Sequence, residues 1–519
     1  MQFCAETRLS SNWTLSPLQG MHAHTFGLLL VTEKESIMCQ CDCHEHTGMS
    51  RRDFFQAVGV STAAGALAWR AVAPGVVHAA GRTKAPATVL GAFLYPSTEA
   101  LRKEGYYSWP GSGFDAEGRQ KAYTEKLGII EKRLGIHLIL EEEPLDTPDS
   151  VEQFIKKTQD AKPDGLLLIP FKKSSFGTAT QILEQVAVPT VILASLGILL
   201  VDHIRPYYRR PGVYLINSED NLNAVEQGLS MIRTMHRMKE SLLLDLVGTE
   251  ARETTVPHLG TTVRNIPLER FYATFAKIPR DDRVRNLAKE WLQQAEKTVE
   301  PSKEDVLEAA KCYYALKQIL DEESGDALMM TCLDGLRHPH KHVPPCMGFM
   351  KLRDEGIPAG CQSDLNATLT LMLVQELFGL PGFQQNASME TERNHYFGAH
   401  CTSPSKMHGP NAPADPIILR NHAEAGWGCV PRVLFTKGQE VTLALYVAGD
   451  KPQMYVYTGT IINCPANPPT GGCRTNVEMT INEVEDVVQV KGMHQAVFYG
   501  NHGKALRQFC QMCGIDAVV

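Results

Sequence analysis

Five side chains in the C-terminal half of the chain are of types that could carry chemistry. Asp364 is a carboxylate, and His400 and His494 are imidazoles, so each can exchange a proton or ligate a metal ion. Gln362 and Asn386 are amides, which bond to hydroxyls and ligate hard cations but neither titrate usefully nor supply charge. Any acid–base role in this set therefore falls to Asp364 and the two histidines.

Asp364 has two readings. It is the acid nearest Gln362, so it could take part in the site directly, or it could lie in the first turn of a helix that begins near Gln362 and complement the helix dipole. Glu390 and Glu392 follow Asn386 closely and could reach the same site, or lie on a solvated loop.

Further histidines leave similar alternatives open. His422 and Glu424 could orient substrate hydroxyls or cap a loop. His494 could be a ligand or a core histidine that donates to a backbone carbonyl. The tract Arg337-His-Pro-His-Lys-His342 would place three imidazoles on one face if it were an extended strand, and is otherwise a surface loop.

Short motifs surround these residues in a fixed order along the chain. They are Pro345-Cys-Met-Gly-Phe349, Asp354-Glu-Gly-Ile-Pro-Ala-Gly-Cys361, Gly382-Phe383, Ala399-His-Cys401, Arg420-Asn-His-Ala-Glu424 and Met493-His-Gln-Ala-Val-Phe-Tyr-Gly-Asn-His502. This order resembles the L-fucose/L-arabinose isomerase superfamily over roughly residues 88–519.

The resemblance implies an aldose–ketose isomerase that acts on a small-molecule sugar, holds Mn²⁺ or another divalent cation and forms a homo-oligomer. It places the two expected catalytic carboxylates at Gln362 and Asn386, the metal-ligating histidine at His494, and a substrate or ligand histidine at His400. Because both carboxylate positions hold amides, we expect metal affinity to fall by orders of magnitude unless another acid takes over.

Alternating apolar strands and helices predict how these residues are positioned. Short runs such as Gly165–Pro170 suit buried parallel strands, and a predicted helix over 281–298 belongs to the same pattern. From residue 416 onward, period-two segments indicate an antiparallel barrel or sandwich. The predicted fold is two doubly wound α/β domains (81–210 and 211–415) followed by a β-rich, barrel-like C-terminal domain (416–519).

The N-terminal part, residues 1–80, has the order of a twin-arginine export signal. Arg51-Arg52 precedes a short run rich in alanine, glycine and valine and then Val77-His-Ala-Ala80, so we expect a periplasmic or extracellular protein. Met49 stands directly before this signal and is an alternative start to Met1. The segment Cys39–His46 upstream of it has ligands suited to a soft metal if it is translated.

Composition and cysteine positions limit the class of protein and the cysteine chemistry to expect. With 519 residues, a net charge of -7 and no basic tail, the chain predicts a multidomain protein that does not bind nucleic acid and has no stable membrane span in its mature form. Cys464 and Cys473 bracket a loop that a disulfide could close. Cys510 and Cys513 have redox-motif spacing without the usual preceding strand, which favours buried structural thiols.

Two functions of different class follow. The first is an exported isomerase-like enzyme with an altered metal or acid–base site around Asp364, His400 and His494. The second is a non-catalytic descendant that still binds a carbohydrate.

Overall fold

The computed structural model describes residues 84–104, 113–219, 221–466 and 471–519. These residues belong to one compact unit, 68–519, and a second unit, 1–67, lies outside the described part. The predicted export signal and the Cys39–His46 segment fall outside it as well. None of the helices in the described ranges is long and apolar enough to cross a membrane.

The first layer is a parallel sheet of five strands in the order β2-β1-β3-β4-β5. The strands are β1 (Thr88–Leu94), β2 (His137–Leu140), β3 (Gly165–Pro170), β4 (Thr190–Ser195) and β5 (Val213–Ser218). The helices are α1 (Thr98–Glu104), α2 (Ala116–Leu134), α3 (Pro148–Ala161), α4 (Ser175–Gln185) and α5 (Val201–Ile204), the last followed by a 3₁₀ turn at Arg205–Tyr207. Every residue of β3 is buried because its two faces pack against separate apolar clusters.

A second sheet has the order β11-β10-β6-β8-β7, with β7 antiparallel to β8 and the other pairings parallel. Its strands are β6 (Leu242–Leu246), β7 (Arg252–Thr255), β8 (Thr262–Ile266), β10 (Ala327–Met330) and β11 (Ala359–Cys361). The helices are α6 (Asn223–Lys239), α7 (Leu268–Lys277), α8 (Asp282–Gln294), α9 (Lys303–Glu323), α10 (Cys346–Asp354) and α11 (Leu365–Phe378), with a 3₁₀ turn at Asp334–Leu336.

The third layer is a closed antiparallel barrel. Its strands are β12 (Phe383–Glu390), β13 (His395–His400), β16 (Glu440–Val447), β17 (Gln453–Asn463), β18 (Thr475–Ile481) and β19 (His494–Tyr499), paired as β16-β19-β12-β13-β18-β17 and closed by β17 against β16. A 3₁₀ turn at Val487–Gln489, α12 (Gly503–Cys513) and β20 (Asp516–Val518), which pairs parallel to β17, complete this end of the chain. The fold is therefore mixed α/β with parallel sheets and a C-terminal closed β-barrel.

Helix α11 connects the second sheet to the barrel. Residues 367–375 are all buried, which is typical of a helix that is covered on every side. Its polar side chains hold the barrel: the N–H of Tyr446 donates to Thr370 Oγ1 (2.8 Å), and the N–H of Ala448 donates to Asn366 Oδ1 (3.0 Å). The first turn of α11 is thereby fixed against β16, next to the loop that carries Gln362 and Asp364.

One local prediction was wrong. The helix predicted over 281–298 ends at Gln294, because residues 295–298 form strand β9 (Ala295–Thr298), which pairs with β14 (Ile417–Arg420). Strand β15 (Val430–Val433) completes that small sheet. For residues 337–342, where an extended strand and a loop were both open, the structure has an irregular loop. The predicted domain boundaries stay predictions, although two barrel strands, β12 and β13, precede residue 416.

Candidate functional site

The loop between β11 and α11 has an unusual backbone. Gln362 and Ser363 both have positive φ, 59° and 49°, in a region that side-chain-bearing residues rarely adopt. The N–H of Ser363 donates to Met330 O (3.1 Å), and Ser363 Oγ lies 2.9 Å from Thr331 Oγ1. The neighbouring strand end therefore holds the loop in this conformation, with the Gln362 side chain exposed.

Asp364, at the end of this loop, caps a helix and is hydrogen-bonded to a histidine. It is the N-cap of α11, where Oδ1 accepts from the N–H of Ala367 (2.9 Å), and its Oδ2 lies 2.7 Å from Nδ1 of His494 in β19. Burial alone would raise the pKa of Asp364, but the hydrogen bonds from His494 and Ala367 hold it below its usual value. Asp364 was predicted within the first helical turn, but it lies one residue before it as the N-cap, and it also orients a buried histidine.

The bond to Asp364 determines what the other ring nitrogen of His494 can do. When Nδ1 donates to the carboxylate of a neutral imidazole, the proton is on Nδ1 and Nε2 is an acceptor. Asn386 lies directly opposite His494 in the pairing of β12 with β19, so the two side chains share a face. The structure therefore brings together Asp364, His494 and Asn386 from a helix cap and two barrel strands.

His400, at the end of β13, is the second imidazole of this group. Its ring centroid is 5.9 Å from that of His494, and only 3% of the residue is exposed. The N–H of Cys401 donates to its Nδ1 (3.0 Å), so the proton of the neutral ring is on Nε2, which has no hydrogen-bond partner among the described residues. Burial, followed by the nearby His494 and Arg353, lowers the pKa of His400 to about 3. His400 is therefore a neutral hydrogen-bond donor.

The donor set does not fit a divalent cation of the manganese type. His494 Nε2 and the carbonyls of Gln362 and Asn386 would supply no negative charge, whereas hard dications are held mainly by carboxylate oxygens. One carboxylate oxygen of Asp364 already accepts the hydrogen bond that caps the helix, and the other is hydrogen-bonded to His494. It does not replace the expected carboxylates as a ligand.

Sequence reasoning missed Asp245, a second carboxylate beside the loop. It lies in β6, is 8% exposed, and interacts with the side chain of Ser363, while its Oδ1 has no hydrogen-bond partner among the described residues. Burial raises the pKa of Asp245 to about 6. The available signal was a single carboxylate inside the apolar run of residues 242–246.

Arg353 was missed as well. This arginine is 2% exposed and donates through Nε to Ala359 O (2.7 Å) and through Nη1 to Thr402 O. Its Nη2 is also near Gln384 Oε1 (3.3 Å). One guanidinium thus ties β11, β12 and the chain after β13 together beneath the site, in keeping with the fixed fork of donors that arginine presents.

His422 and Glu424, predicted to orient substrate hydroxyls or to cap a loop, differ in their exposure to solvent. His422 is buried, its Nδ1 accepts from the N–H of Ala425 (3.2 Å), and burial lowers its pKa. Glu424 is exposed. The ring of His422 caps its loop, and a contact of either residue with substrate stays a prediction.

The three histidines of residues 337–342 do not form one face. His340 packs against Trp427 with ring centroids 4.2 Å apart and the rings tilted by 41°, whereas His342 is buried against Phe271 and Tyr272. These contacts assign the tract to packing rather than to a metal site.

A separate group at the β12–β13 hairpin could hold a metal ion. One ligand atom each of Glu390, His395 and Glu478 lies within 4.8 Å of the others. Arg393 already pairs with both carboxylates, at 2.7 Å to Glu390 and 2.9 Å to Glu478. Glu390 is thus held in an ion pair with Arg393. It lies four residues along β12 from Asn386, which is about 13 Å at strand spacing, so it does not reach His494. Glu392 is exposed in the hairpin turn.

The cysteines of the described residues are free thiols. Cys464 donates to Phe435 O (3.5 Å), while Cys473 interacts with Cys401, so the pair that brackets the Pro/Gly-rich loop is not joined. Cys510 is buried near the sulfur of Met454 (3.6 Å), consistent with a structural thiol.

Comparison with known proteins identifies distant relatives among sugar isomerases. No protein-family model matches the chain. Sulfoquinovose isomerases of Priestia aryabhattai and Priestia megaterium are each 20% identical to it over 333 residues, which is 60% of this chain and 72% of theirs. This similarity supports an isomerase-like relationship.

Proposed function

We propose that this chain is a sugar isomerase-like protein with an altered acid–base site, built on a fucose/arabinose isomerase-like fold. The observation that carries the proposal is the Asp364–His494 hydrogen bond of 2.7 Å beside His400. The similarity to sulfoquinovose isomerases supports a sugar as the small-molecule ligand. Export by the twin-arginine route and a homo-oligomeric state are parts of the same proposal.

The proposed reaction interconverts an aldose and a ketose through an enediol. His494 Nε2, oriented by Asp364, takes the proton from C2 of the open-chain aldose, and the electron pair of that C–H bond forms the C1–C2 double bond. Negative charge develops on O1, where the Nε2–H of His400 donates a hydrogen bond. The O2–H proton passes to O1, and His494 returns its proton to C1, which leaves a carbonyl at C2.

The roles of the two histidines follow from their different surroundings. A neutral donor such as His400 stabilises charge that appears only in the transition state, because burial keeps the ring uncharged in the ground state. The amides of Gln362 and Asn386 can donate to and accept from sugar hydroxyls. A divalent cation does not enter this scheme, because His494 Nε2 and the carbonyls of Gln362 and Asn386 supply no negative charge.

A second candidate is a carbohydrate-binding protein without catalysis. It is favoured by the amides at both positions where the family resemblance places carboxylates, since these bind hydroxyls but perform no proton transfer. In that case Asp364 and His494 serve only to join α11 to the barrel.

Metal analysis and a ketose-formation assay distinguish the two. The mature protein is assayed against pentoses, hexoses and sulfoquinovose, with and without added manganese. Turnover without metal that His494→Ala abolishes supports the proposed isomerase. Sugar binding with no turnover supports the second candidate, particularly if Gln362→Glu combined with Asn386→Asp creates manganese-dependent activity. Absence of both binding and turnover contradicts both.

A further inference from the structure

Two cysteine sulfurs lie in contact directly beneath the site loop. Cys332 follows β10 and Cys361 ends β11, and their Sγ atoms are 3.4 Å apart. The two residues are 2% and 3% exposed. The backbone N–H of Gln362 donates to the Cys332 sulfur, so this sulfur contacts the loop that carries the site as well as the other thiol.

The backbone of Cys361 is held in place by the side chain of Gln384. Gln384 binds the backbone of Cys361 on both sides: Cys361 N–H donates to its Oε1 (2.9 Å), and its Nε2 donates to Cys361 O (3.1 Å). On the other side of Cys361, Gln362 and Ser363 have the positive φ angles described above. Any approach of the sulfurs therefore displaces Cys332 and the loop rather than the backbone of Cys361.

We propose that Cys332 and Cys361 are a modification site at which a peroxide converts two thiols into a disulfide under the Gln362–Asp364 loop. The Cys332 sulfur attacks hydrogen peroxide, breaks the O–O bond and becomes a sulfenic acid with release of one water. The sulfur of Cys361 then displaces the sulfenic oxygen as a second water, and the S–S bond forms. Each thiol loses one hydrogen, and the peroxide takes up the two electrons.

Peroxide suits this pair as an oxidant because of its size. Both thiols are buried, but the adjoining Gln362 side chain is exposed, so the path from solvent is short. A disulfide requires the sulfurs to approach from 3.4 Å to about 2.05 Å. This movement shifts the sulfur to which Gln362 N–H donates, so oxidation changes the loop whether or not the protein is an isomerase.

Peptide mapping tests the proposal directly on the full-length protein. Trypsin places Cys332 in residues 318–337 and Cys361 in residues 354–393, each as the only cysteine of its peptide. After treatment with hydrogen peroxide and alkylation under denaturing conditions, we expect these two peptides to be linked, with a mass lower than their sum by two hydrogen atoms. A reductant should separate them.

Single variants supply the control. Cys332→Ser and Cys361→Ser should each abolish the linked peptide, whereas Cys429→Ser, at another buried cysteine, should leave it intact. Hydrogen–deuterium exchange over residues 359–367 should change on oxidation and recover on reduction. The proposal is overturned if both thiols of the wild-type protein still react with the alkylating agent, become sulfinic acids, or link to other cysteines. Mapping of the wild-type protein decides this even if a variant fails to fold.

Discussion

The carboxylate of Asp364 and the imidazole of His494 meet at 2.7 Å although they are 130 residues apart in the chain. One caps a helix that packs on the second sheet, and the other belongs to a barrel strand. In the neutral imidazole of His494, this bond places the proton on Nδ1 and leaves Nε2 as an acceptor.

Asp364→Asn should separate the two roles of this side chain. Asparagine caps helices about as well as aspartate, so α11 should keep its first turn and the melting temperature should change little. The amide does not hold His494 in the same tautomer, so turnover should fall by about 100-fold or more. Kinetics and thermal unfolding of the same preparation measure both effects. A loss of stability with unchanged turnover would assign Asp364 to capping alone.

His400 should remain neutral across the physiological range. Burial lowers its pKa to about 3, below the roughly 6.5 of an unfolded chain, so the unfolded state takes up the proton first and stability should fall as the pH drops below about 6.5. Nitrogen-15 NMR of histidine-labelled protein should find one ring that stays in the Nε2–H form from pH 5 to pH 8, and that is missing in His400→Gln. Titration of this ring near pH 6.5 would disprove its role as a neutral donor.

Asp245 should give a pH dependence of the opposite sign. Its pKa is raised from about 3.9 in an unfolded chain to about 6, so its favourable contribution is present below pH 4 and is lost as the pH rises through 6. As the pH rises from 4 to 8, the unfolding free energy of wild type should therefore fall by about 2 kcal/mol relative to that of Asp245→Asn.

Denaturant unfolding of wild type and Asp245→Asn at several pH values measures this difference. Asp450→Asn, in the exposed turn between β16 and β17, is the matched control and should leave the pH profile unchanged. A difference that stays constant with pH would mean that Asp245 titrates alike in the folded and unfolded chains.

Arg353→Lys should destabilise the protein strongly even though it keeps a positive charge. One ammonium group cannot replace the guanidinium donors to Ala359 O and Thr402 O, so at least one buried carbonyl loses its partner, at a cost of about 3 kcal/mol. Arg133→Lys, in the part-exposed ion pair with Glu226, should change stability by less than about 1 kcal/mol. Equal effects of the two substitutions in chemical denaturation would argue against this role for Arg353.

The sequence predicted local structure well where burial determines it. The run Gly165–Pro170 was predicted as a strand at its observed bounds, because a strand buried on both faces is continuously apolar. Residues 295–298 could not be predicted in the same way. Their strand is polar and depends on pairing with Ile417–Arg420, more than a hundred residues later.

The candidate site was predictable as a set of positions but not as a set of contacts. The order of motifs brought attention to Asp364, His400 and His494, yet only the closed barrel places β19 against the cap of α11. Asp245 was overlooked because its neighbours in sequence are apolar core residues. Its contact with Ser363 depends on adjacent strand ends, which periodicity does not reveal.

Proton transfer between two carbons of a sugar at this site can be followed by NMR of candidate sugars incubated with the protein in D₂O and a metal chelator. Deuterium should enter C1 of the ketose product and C2 of the aldose recovered in the reverse reaction. His494→Ala should lower this exchange by at least about 100-fold. Folded wild-type protein that binds these sugars but exchanges no carbon-bound hydrogen would contradict the proposed proton transfer.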